Sequence, residues 1–390
     1  MIVFCERLDD FGRGICKLDG KIVFVSNLLP SEKAEIKIVL NKKNYMVGEI
    51  VELIDSSRDR VKSRCVYNSC GCSLMNMNYE KTLDYKKNKV ISILKKFAGI
   101  SLDDIKIYGS PSVYGYRNKI TLKVKNGKLG YFKNGSNELI EIDKCLIVSD
   151  KINELISILK KEDLSNVSSI VIKDMDGILI DVDGIMDVSN LKKYCDSIYL
   201  SGKNIYGKKE VINKILDYNF LVSNESFFQI NNMVTENLYS KVLDYAGSGD
   251  RVLDLYCGTG TISILLSKYY NDVIGIEINE SSVKCANENK RINYVSNVSF
   301  RCGDANILCR GIDADLVVVD PARNGLSRDG IKNILDISPS KIIYVSCNPV
   351  TLARDLKELS SRYNLVDISL FDMFPWTYHV ECVCLLYRKN

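Results

Sequence analysis

The stretch "VLDLYCGTGTISILL", residues 252–266, joins two apolar runs through a loop that contains Gly258 and Gly260. The first run predicts a buried strand, and the second predicts a helix that begins directly after the loop. The two glycines allow the backbone to approach a ligand closely, next to the N-terminus of that helix. A strand, a glycine loop and a helix in this order are typical of a doubly wound parallel sheet.

Further strand-like runs continue this pattern towards the C-terminus. Four of them are separated by helical stretches, which predicts a parallel sheet covered by helices. These runs lie at 273–277, 298–301, 316–320 and 342–345. Two last runs, 365–372 and 380–387, predict an antiparallel edge. We therefore assign residues 221–390 to a Rossmann-like α/β domain, a parallel sheet with an antiparallel C-terminal edge.

The upstream part of the chain has a different pattern, in which short strands alternate with turn residues. In residues 1–57, apolar and charged side chains alternate at 34–40, and Asp19-Gly20 predicts a hairpin turn, which together with the other short strands suggest a small closed barrel of the OB type. Residues 58–220 combine a helical stretch at 79–98 with strands, including a hairpin at Asn126-Gly127. This central segment is predicted to be an α+β domain.

Composition restricts the class of protein and its location. The chain has 390 residues, of which 46% are hydrophobic and 26% charged, as in soluble globular proteins. It contains no run of eighteen apolar residues and no signal-peptide pattern, so we expect a cytoplasmic protein without membrane contact. The single histidine, His379, excludes a zinc site that is built on several histidines.

Charge is distributed unevenly along the chain. Residues 61–135 carry fifteen basic and four acidic side chains, a net charge of +11, whereas residues 1–60 are neutral. A local basic block favours a polyanionic partner. A solvated lysine-rich surface is the alternative.

Two acidic residues follow the glycine loop at positions that suit a nucleoside ligand. Glu277 ends the second predicted strand, where a carboxylate can accept both hydroxyls of a ribose. Asp304, in "CGDAN", follows the third strand, near the expected place of an adenine ring. A dinucleotide site would need a third glycine where Ser263 stands, so the loop that starts at Asp254 favours S-adenosylmethionine, which has no pyrophosphate. A glycine turn in another kind of α/β protein is the alternative.

Three segments place reactive side chains at the predicted carboxyl edge of the sheet. "VVVDPARNGL" contains Asp320, "VSCNP" contains Cys347, and "FPWTYHVEC" contains His379 and Glu381. A thiol, a carboxylate and a methyl donor together fit methylation of carbon 5 of uracil. In that reaction the thiolate of Cys347 would add to carbon 6, and Glu381 would remove the proton from carbon 5. A target base in folded RNA would have to be extruded to reach this edge.

Each of these residues could also have a purely structural role. Free cysteines are usually buried and inert, Glu381 could be a solvent-facing acid, and His379 could be a loop histidine. Asn348-Pro349 after Cys347 favours the reactive interpretation, because core packing does not require these residues. Nine other cysteines are interpreted as structural: Cys5, Cys16, Cys195, Cys257, Cys285, Cys302, Cys309, Cys382 and Cys384.

Five motifs in this order make the sequence resemble the RNA uridine-5-methyltransferases, which form 5-methyluridine in transfer or ribosomal RNA. The motifs are "SFFQINN", "DLYCGTGTI", "DPARNGL", "SCNPVTLARDL" and "FPWTYHVE". The resemblance covers nearly the whole chain and implies that Cys347 is the nucleophile and Glu381 the base. It also implies cofactor contacts by Gln229, Tyr256, Gly258, Gly260, Thr261, Glu277, Asp304 and Asp320. Residues 1–57 resemble the TRAM module, an RNA-binding barrel.

A group of cysteines resembles the iron–sulfur site of many ribosomal RNA enzymes in this family. "RCVYNSCGCSLMNMNY" contains Cys65, Cys70 and Cys72, and "EIDKCLIV" contains Cys145. Both gaps are one residue shorter than in the family pattern Cys-x5-Cys-Gly-Gly-Cys. The resemblance implies a [4Fe-4S] cluster, and zinc or no metal are the alternatives. Cluster-binding cysteines favour ribosomal RNA over transfer RNA as the substrate.

Two other functions compete with this prediction. Methylation of carbon 5 of cytosine uses a similar thiol addition, but the "HVE" ending argues against it. The chain could instead be an RNA-binding or folding factor with a vestigial catalytic domain, and the intact Cys347, Glu381 and glycine loop argue against that. No feature of the sequence predicts an obligate protein partner.

Overall fold

The N-terminal strands form the closed five-stranded barrel that the turn pattern predicts. The computed structural model describes residues 1–67, 70–133 and 135–389. The barrel strands are β1 (Ile2–Leu8), β2 (Gly14–Leu18), β3 (Lys21–Val25), β4 (Lys33–Asn41) and β5 (Tyr45–Asp55), in the order β1-β2-β3-β5-β4. Asp19 and Gly20 have φ values of 50° and 76°, which confirms the two-residue hairpin between β2 and β3.

Helix α1 (Tyr79–Ile93) and strand β6 (Lys106–Tyr108) pack with the C-terminal sheet, although both lie far upstream in the chain. Asn78 caps α1, because its side chain accepts a hydrogen bond from the backbone amide of Glu80. A π-helical turn, Leu94–Ala98, extends α1. The segment 58–220 therefore contributes a strand to the C-terminal sheet, which its sequence pattern did not indicate.

A seven-stranded sheet, with helix α2 (Asp150–Leu159) packed on its core, fills the middle of the chain. In spatial order its strands are β13 (Lys203–Gly207), β12 (Ser197–Leu200), β11 (Gly177–Gly184), β10 (Val167–Met175), β7 (Lys119–Lys125), β8 (Lys128–Phe132) and β9 (Leu139–Glu141). Asn126 and Gly127 form the predicted turn between β7 and β8, with φ values of 55° and 72°. A separate hairpin of β14 (Val211–Ile215) and β15 (Tyr218–Val222) leads into the C-terminal sheet.

The C-terminal sheet has eight strands, and the glycine loop lies near its middle. Besides β6, its strands are β16 (Gly249–Leu255), β17 (Tyr270–Glu277), β18 (Val298–Cys302), β19 (Leu316–Val319), β20 (Lys341–Ser346), β21 (Tyr363–Phe371) and β22 (Glu381–Arg388). The helices along this part are α3 (Asn232–Ala246), α4 (Thr261–Leu266), α5 (Glu280–Ile292), α6 (Ala305–Leu308), α7 (Arg328–Ile337) and α8 (Pro349–Leu359). The strand order is β18-β17-β16-β19-β20-β22-β21-β6.

The strand directions confirm a Rossmann-like sheet with an antiparallel C-terminal pair. Strands β16 to β20 are parallel, and β22 is antiparallel to both β20 and β21. The sequence pattern places this pair at the edge of the sheet, which is wrong, because β6 adds to β21 in parallel. The chain winds from β16 to β18 on one side and continues through β19 on the other, which leaves a crevice beyond the carboxyl ends of β16 and β19. None of the helices in the described residues is long and apolar enough to span a membrane.

Candidate active site

The glycine loop after β16 leaves open space on one side of its backbone. Gly258 and Gly260 have φ values of 54° and 79°. A Cβ atom at Gly260 would lie 2.5 Å from Phe300 Cζ, so this glycine is required for packing. A Cβ atom at Gly258 would have no described atom within 4 Å. A ligand can therefore approach the backbone at Gly258.

Backbone amides hold the carboxylate of Glu277 beside this loop. The Gly258 amide donates to Glu277 Oε2 at 3.1 Å, and the Asn279 amide donates to Oε1 at 2.8 Å. The side chain is thus fixed at the carboxyl end of β17, next to the open side of Gly258. This is the position at which the sequence predicts a ribose contact.

Asp254 is a buried carboxyl group at the base of the loop. Ser263 Oγ donates to its Oδ2 atom at 2.5 Å, and burial raises the pKa of Asp254 to about 7. Asp254 Oδ1 is buried and has no hydrogen-bond partner among the described residues. Ser263, at the position where a dinucleotide site would have glycine, therefore orients a buried carboxyl group at the base of the loop.

The other predicted cofactor residues lie on neighbouring elements. Asp304 caps the short helix α6 and accepts hydrogen bonds from the Asn306 amide and side chain, at 2.8 Å each. Burial and the nearby Asp304 charge raise the pKa of Tyr256 to about 12. Thr261 is the buried first residue of α4, and Gln229 is buried shortly before α3.

The proposed nucleophile and base lie at the same end of two paired strands. Cys347 directly follows β20, and Glu381 is the first residue of β22. Ser346 is opposite Cys382 in the antiparallel register, so Cys347 and Glu381 are adjacent across the pair. Asp320 follows β19, which is the neighbour of β20 on its other side. The structure therefore brings together the three residues that the sequence singled out.

Burial and mutual repulsion shift the pKa values of these groups upwards. Burial raises the pKa of Cys347 to about 11, and the charges of Glu381 and Asp320 add to this shift. Burial, followed by the charge of Asp320, raises the pKa of Glu381 to about 8, and burial raises the pKa of Asp320 to about 7. The guanidinium of Arg323 acts in the opposite direction on Cys347 and Glu381. At neutral pH Cys347 is therefore mainly a neutral thiol.

Arg323 is a residue that sequence reasoning missed, although it lies inside the quoted "DPARNGL" motif. Its carbonyl oxygen accepts hydrogen bonds from Asn348 Nδ2 at 3.0 Å and from Thr351 Oγ1 at 3.2 Å. The loop after β19 is thus tied to the turn that carries Cys347. This tie keeps the exposed cationic side chain close to the thiol and to Glu381.

Asp355, in helix α8, is a second residue that the motifs contained but sequence reasoning missed. Its Oδ2 atom accepts hydrogen bonds from the Leu326 amide at 2.8 Å and from Tyr344 Oη at 2.7 Å. A Cβ atom at Gly325 would lie 2.5 Å from the same oxygen, and Gly325 has a φ of 71°. The buried carboxylate therefore holds the 320–326 loop against α8.

His379 is not a cation that could activate the thiol. Burial and the charges of Arg323 and Lys89 lower its pKa to about 4, so the imidazole is neutral at pH 7. Its ring lies 4.1 Å from the Tyr378 ring and 5.5 Å from the Phe374 ring, measured between centroids. His379 therefore packs within the segment that precedes Glu381.

The four cysteines of the predicted metal site lie near one another, but in the described residues they do not form a ligand set. Burial raises the pKa of Cys72 to about 12, with contributions from Cys145, Cys65 and Cys70. In the described ranges, which omit residues 68 and 69 inside this loop, no group of three or more His, Cys, Asp or Glu side chains could hold a metal ion. Metal binding at these cysteines stays a prediction.

One of the nine cysteines interpreted as structural from the sequence is exposed. Cys302, at the end of β18, is exposed. Cys257 and Cys285 are half-buried, and the remaining six are buried: Cys5, Cys16, Cys195, Cys309, Cys382 and Cys384. The interpretation is wrong for Cys302, because the thiol at this strand end faces solvent instead of the core.

Comparisons with known proteins find matches to both the N-terminal barrel and the C-terminal sheet. The sequence profile of the tRNA (uracil-5-)-methyltransferase family matches residues 188–389, and that of the TRAM domain matches residues 3–51. A solved structure of the tRNA (uracil-54, C5)-methyltransferase of Pyrococcus abyssi, in complex with S-adenosyl-L-homocysteine, superposes with a TM-score of 0.82. It is 29% identical in sequence, and the match covers 99% of this chain and 100% of that chain.

Relatives of similar length carry the name RNA methyltransferase. An uncharacterized RNA methyltransferase of Clostridium acetobutylicum is 33% identical over 445 aligned residues, which cover 100% of this chain and 97% of the relative. One from Staphylococcus aureus is 33% identical and covers 97% of this chain and 96% of the relative. With its profile match, its relatives and its fold, the chain belongs to the tRNA (uracil-5-)-methyltransferase family of RNA methyltransferases.

Proposed function

We propose that this protein transfers a methyl group from S-adenosylmethionine to carbon 5 of a uridine in RNA, through a covalent adduct with Cys347. The observation that carries the proposal is the placement of Cys347, Glu381 and Asp320 at one end of three adjacent strands. The glycine loop with Glu277 lies at the same carboxyl edge of the sheet. A methyl donor and a thiol would thus share one crevice.

The assigned residues have distinct chemical tasks. The thiolate form of Cys347, whose proton has passed to solvent, forms a bond to carbon 6 of the uracil, and the electron pair of the double bond makes carbon 5 nucleophilic. S-Adenosylmethionine supplies the methyl group when it is bound. Glu381 then takes the proton from carbon 5, and the carbon–sulfur bond breaks to release the product and the thiolate. A carboxyl group with a pKa of about 8 suits this proton transfer near neutral pH.

The residues around the glycine loop fit the proposed cofactor. Glu277 offers a fixed carboxylate for a ribose, and Gly258 offers an open backbone. Asp254 offers a buried acceptor oxygen without a described partner. Asp304, Tyr256, Thr261, Gln229 and Asp320 are proposed to complete the site. Calorimetry measures binding of S-adenosylmethionine to the isolated protein. This binding should be lost in Glu277→Ala.

The covalent mechanism is tested with RNA that contains 5-fluorouridine, because fluorine at carbon 5 prevents the final elimination. The unaltered protein should form a stable adduct, whereas Cys347→Ala should form none. Glu381→Gln should accumulate adduct on ordinary RNA, because release requires removal of the proton. Cys302→Ala, which removes an exposed thiol outside the site, is the matched control. Adduct formation by Cys347→Ala would refute the nucleophile assignment.

The class of RNA is a separate part of the proposal. The cysteine group favours ribosomal RNA, whereas the similar Pyrococcus abyssi enzyme acts on uracil 54 of tRNA. Mass spectrometry of both RNA classes, from cells with and without the gene, should locate the uridine that loses its methyl group. A loss confined to transfer RNA would refute the ribosomal assignment.

A [4Fe-4S] cluster on Cys65, Cys70, Cys72 and Cys145 is the last part of the proposal. The effects of these thiols on one another's pKa values indicate that they lie near one another, while their described positions do not fit a metal ion as they stand. We therefore assign no step of the reaction to a cluster. Protein that is purified without air and contains iron and acid-labile sulfide would support the site, and protein with neither would exclude it.

A further inference from the structure

A series of ring contacts connects the barrel to the segment that precedes Glu381. The Tyr45 and Phe24 rings lie 5.8 Å apart, and the Arg13 guanidinium lies 4.3 Å from the Phe24 ring. The same guanidinium lies 5.4 Å from the Phe11 ring, which in turn lies 5.5 Å from the Tyr378 ring. We call these five side chains the aromatic strip. It ends three residues before the proposed catalytic base.

The strip offers exposed ring surface on a rigid support. Phe11 is 55% exposed and Tyr45 is 37% exposed, so their contacts within the strip leave much of each ring free. Asp9 Oδ1 accepts hydrogen bonds from the Phe11 amide at 3.0 Å and from the Arg13 amide at 2.7 Å. The Phe11 ring is therefore presented by a loop whose conformation is fixed.

Helix α1 holds the loop that carries Phe11 and the segment that carries Tyr378 together. Tyr85 Oη donates to the Asp9 carbonyl at 2.7 Å. Lys89 Nζ donates to the Tyr378 carbonyl at 2.6 Å and to the Asp10 carbonyl at 3.3 Å. The barrel loop and the catalytic segment are thus bound to one helix, and their relative position is set by it.

Basic side chains accompany the strip at its barrel end. Lys21 Nζ lies 3.3 Å from Asn41 Oδ1 and 3.5 Å from the Lys42 carbonyl, which places it beside the β4–β5 turn that leads to Tyr45. Lys42 and Lys43 are exposed in the same turn. Arg13 also neutralises Asp9, through an ion pair of 2.6 Å. Exposed rings next to cations are the surface that single-stranded nucleic acids bind by stacking and phosphate contacts.

We infer that the aromatic strip binds the single-stranded RNA that flanks the target uridine, with bases stacked on Phe11 and Tyr45. This inference rests on the proposed function, since it assumes that RNA enters the crevice at Cys347. Because the strip leads to Tyr378, RNA bound on it would deliver the neighbouring uridine to Glu381 and Cys347. The barrel would then serve as the guide for the strand that enters the site.

The strip is tested by binding of a fluorescein-labelled single-stranded oligoribonucleotide of about fifteen nucleotides, about the site size of one OB barrel. Phe11→Ala and Tyr45→Ala should each weaken binding by roughly 5- to 100-fold in fluorescence anisotropy, because each removes one stacking partner. Phe4→Ala is the matched control, since Phe4 belongs to the same barrel and is also 55% exposed. Equal affinities of the Phe11→Ala and Phe4→Ala variants would overturn the inference.

A duplex RNA distinguishes base stacking on the strip from general attraction between RNA and basic side chains. A duplex RNA of the same length should lose little affinity in Phe11→Ala, because its bases are already stacked on one another. An equal loss for duplex and single strand would overturn the stacking role. Adduct formation by the unaltered protein with 5-fluorouridine RNA is measured separately. If no adduct forms, the proposed function is refuted. If the adduct forms but Phe11→Ala binds RNA as well as the unaltered protein does, only the role of the strip is refuted. Thermal melting of each variant checks that it is folded.

Discussion

At the scale of single residues, the environment of Glu381 determines both its reactivity as a base and its effect on the stability of the folded protein. The side chain is 4% exposed and begins a strand whose first six residues are all buried. A carboxyl group in such a place ionises only with difficulty, which is why its pKa lies near 8 rather than near 4.5. The same burial that suits a base near neutral pH therefore makes the charged form unfavourable for the folded protein.

Glu381→Gln should increase stability, and the increase should depend on pH. The folded state binds more protons than the unfolded state between about pH 4.5 and 8, since the folded pKa is the higher one. Stability contributed by protonated Glu381 is thus lost as pH rises through this window, and glutamine has no such loss. The variant should melt several degrees above the unaltered protein at pH 8.5 and at nearly the same temperature at pH 4.5. The same difference at both pH values would contradict this role of burial.

The turnover rate of Glu381→Gln should meanwhile fall by about 10²- to 10⁴-fold, because the variant lacks the proposed base.

Arg323 should set the pH dependence of the reaction. Its positive charge favours the thiolate of Cys347 and the carboxylate of Glu381, so Arg323→Gln should raise both pKa values. The rising limb of the single-turnover rate against pH should move to higher pH, and the rate at pH 7 should fall. Arg323→Lys keeps the positive charge, so its rate profile should lie close to that of the unaltered protein. A profile that is identical in Arg323→Gln and the unaltered protein would exclude this role.

At the scale of elements, helix α1 stabilises the segment between β21 and β22. Lys86 and Asp372 form a fully buried ion pair, and Lys86 Nζ also donates to the Phe374 carbonyl at 3.1 Å. Tyr79 Oη donates to Asp372 Oδ2 at 2.8 Å and accepts from the Ser110 amide at 2.8 Å. An upstream helix thus supports the loop that leads to Glu381.

Lys86→Met should destabilise the protein by about 3–5 kcal/mol, because it leaves the Asp372 carboxylate buried without its cation. Urea unfolding measures the change. The double variant Lys86→Met/Asp372→Asn should recover much of the loss, since neither remaining side chain carries a charge. Lys81→Met is the control, because Lys81 forms an exposed ion pair with Asp84 on the same helix and should cost at most about 1 kcal/mol. Equal losses for the two single variants would contradict the role of burial.

At the scale of the whole molecule, parts of the chain that are distant in sequence meet around the catalytic sheet. The barrel and the catalytic sheet contact each other through Phe11 and Tyr378, and β6 from the middle of the chain completes the C-terminal sheet. The basic block at 61–135 includes α1 and the β7–β8 hairpin, so its charge is spread over two of the sheets.

RNA affinity should fall steeply with salt if this block contacts phosphates. Between ~50 mM and ~200 mM salt, the affinity should drop by at least about tenfold, because the release of counterions from RNA becomes less favourable. Three lysines on the β7–β8 hairpin are replaced by glutamine: Lys123, Lys125 and Lys128. This replacement should reduce the slope of the logarithm of RNA affinity against the logarithm of salt concentration. A control triple replacement in the C-terminal helices and their turns should leave it unchanged: Lys268, Lys332 and Lys357. Affinity that does not respond to salt would refute a phosphate-binding block.

The sequence by itself determined the local features of this protein. The strand–glycine loop–helix unit, the hairpins at Asp19-Gly20 and Asn126-Gly127 and the strand before Cys347 follow from short-range patterns, because period and turn chemistry act between close neighbours. The proximity of Cys347 and Glu381 was also predictable, because the strand pattern places both residues at the same edge of one sheet.

Only the tertiary structure decided which distant residues act on the site. Three contacts join residues that lie hundreds of positions apart in sequence. Strand β6 lies beside β21, Lys86 supports the segment before Glu381, and Phe11 contacts Tyr378. The elevated pKa of Cys347 also depends on burial and on charges that three separate strands bring together. Burial and Coulomb interactions depend on distance in space, which local sequence patterns do not specify.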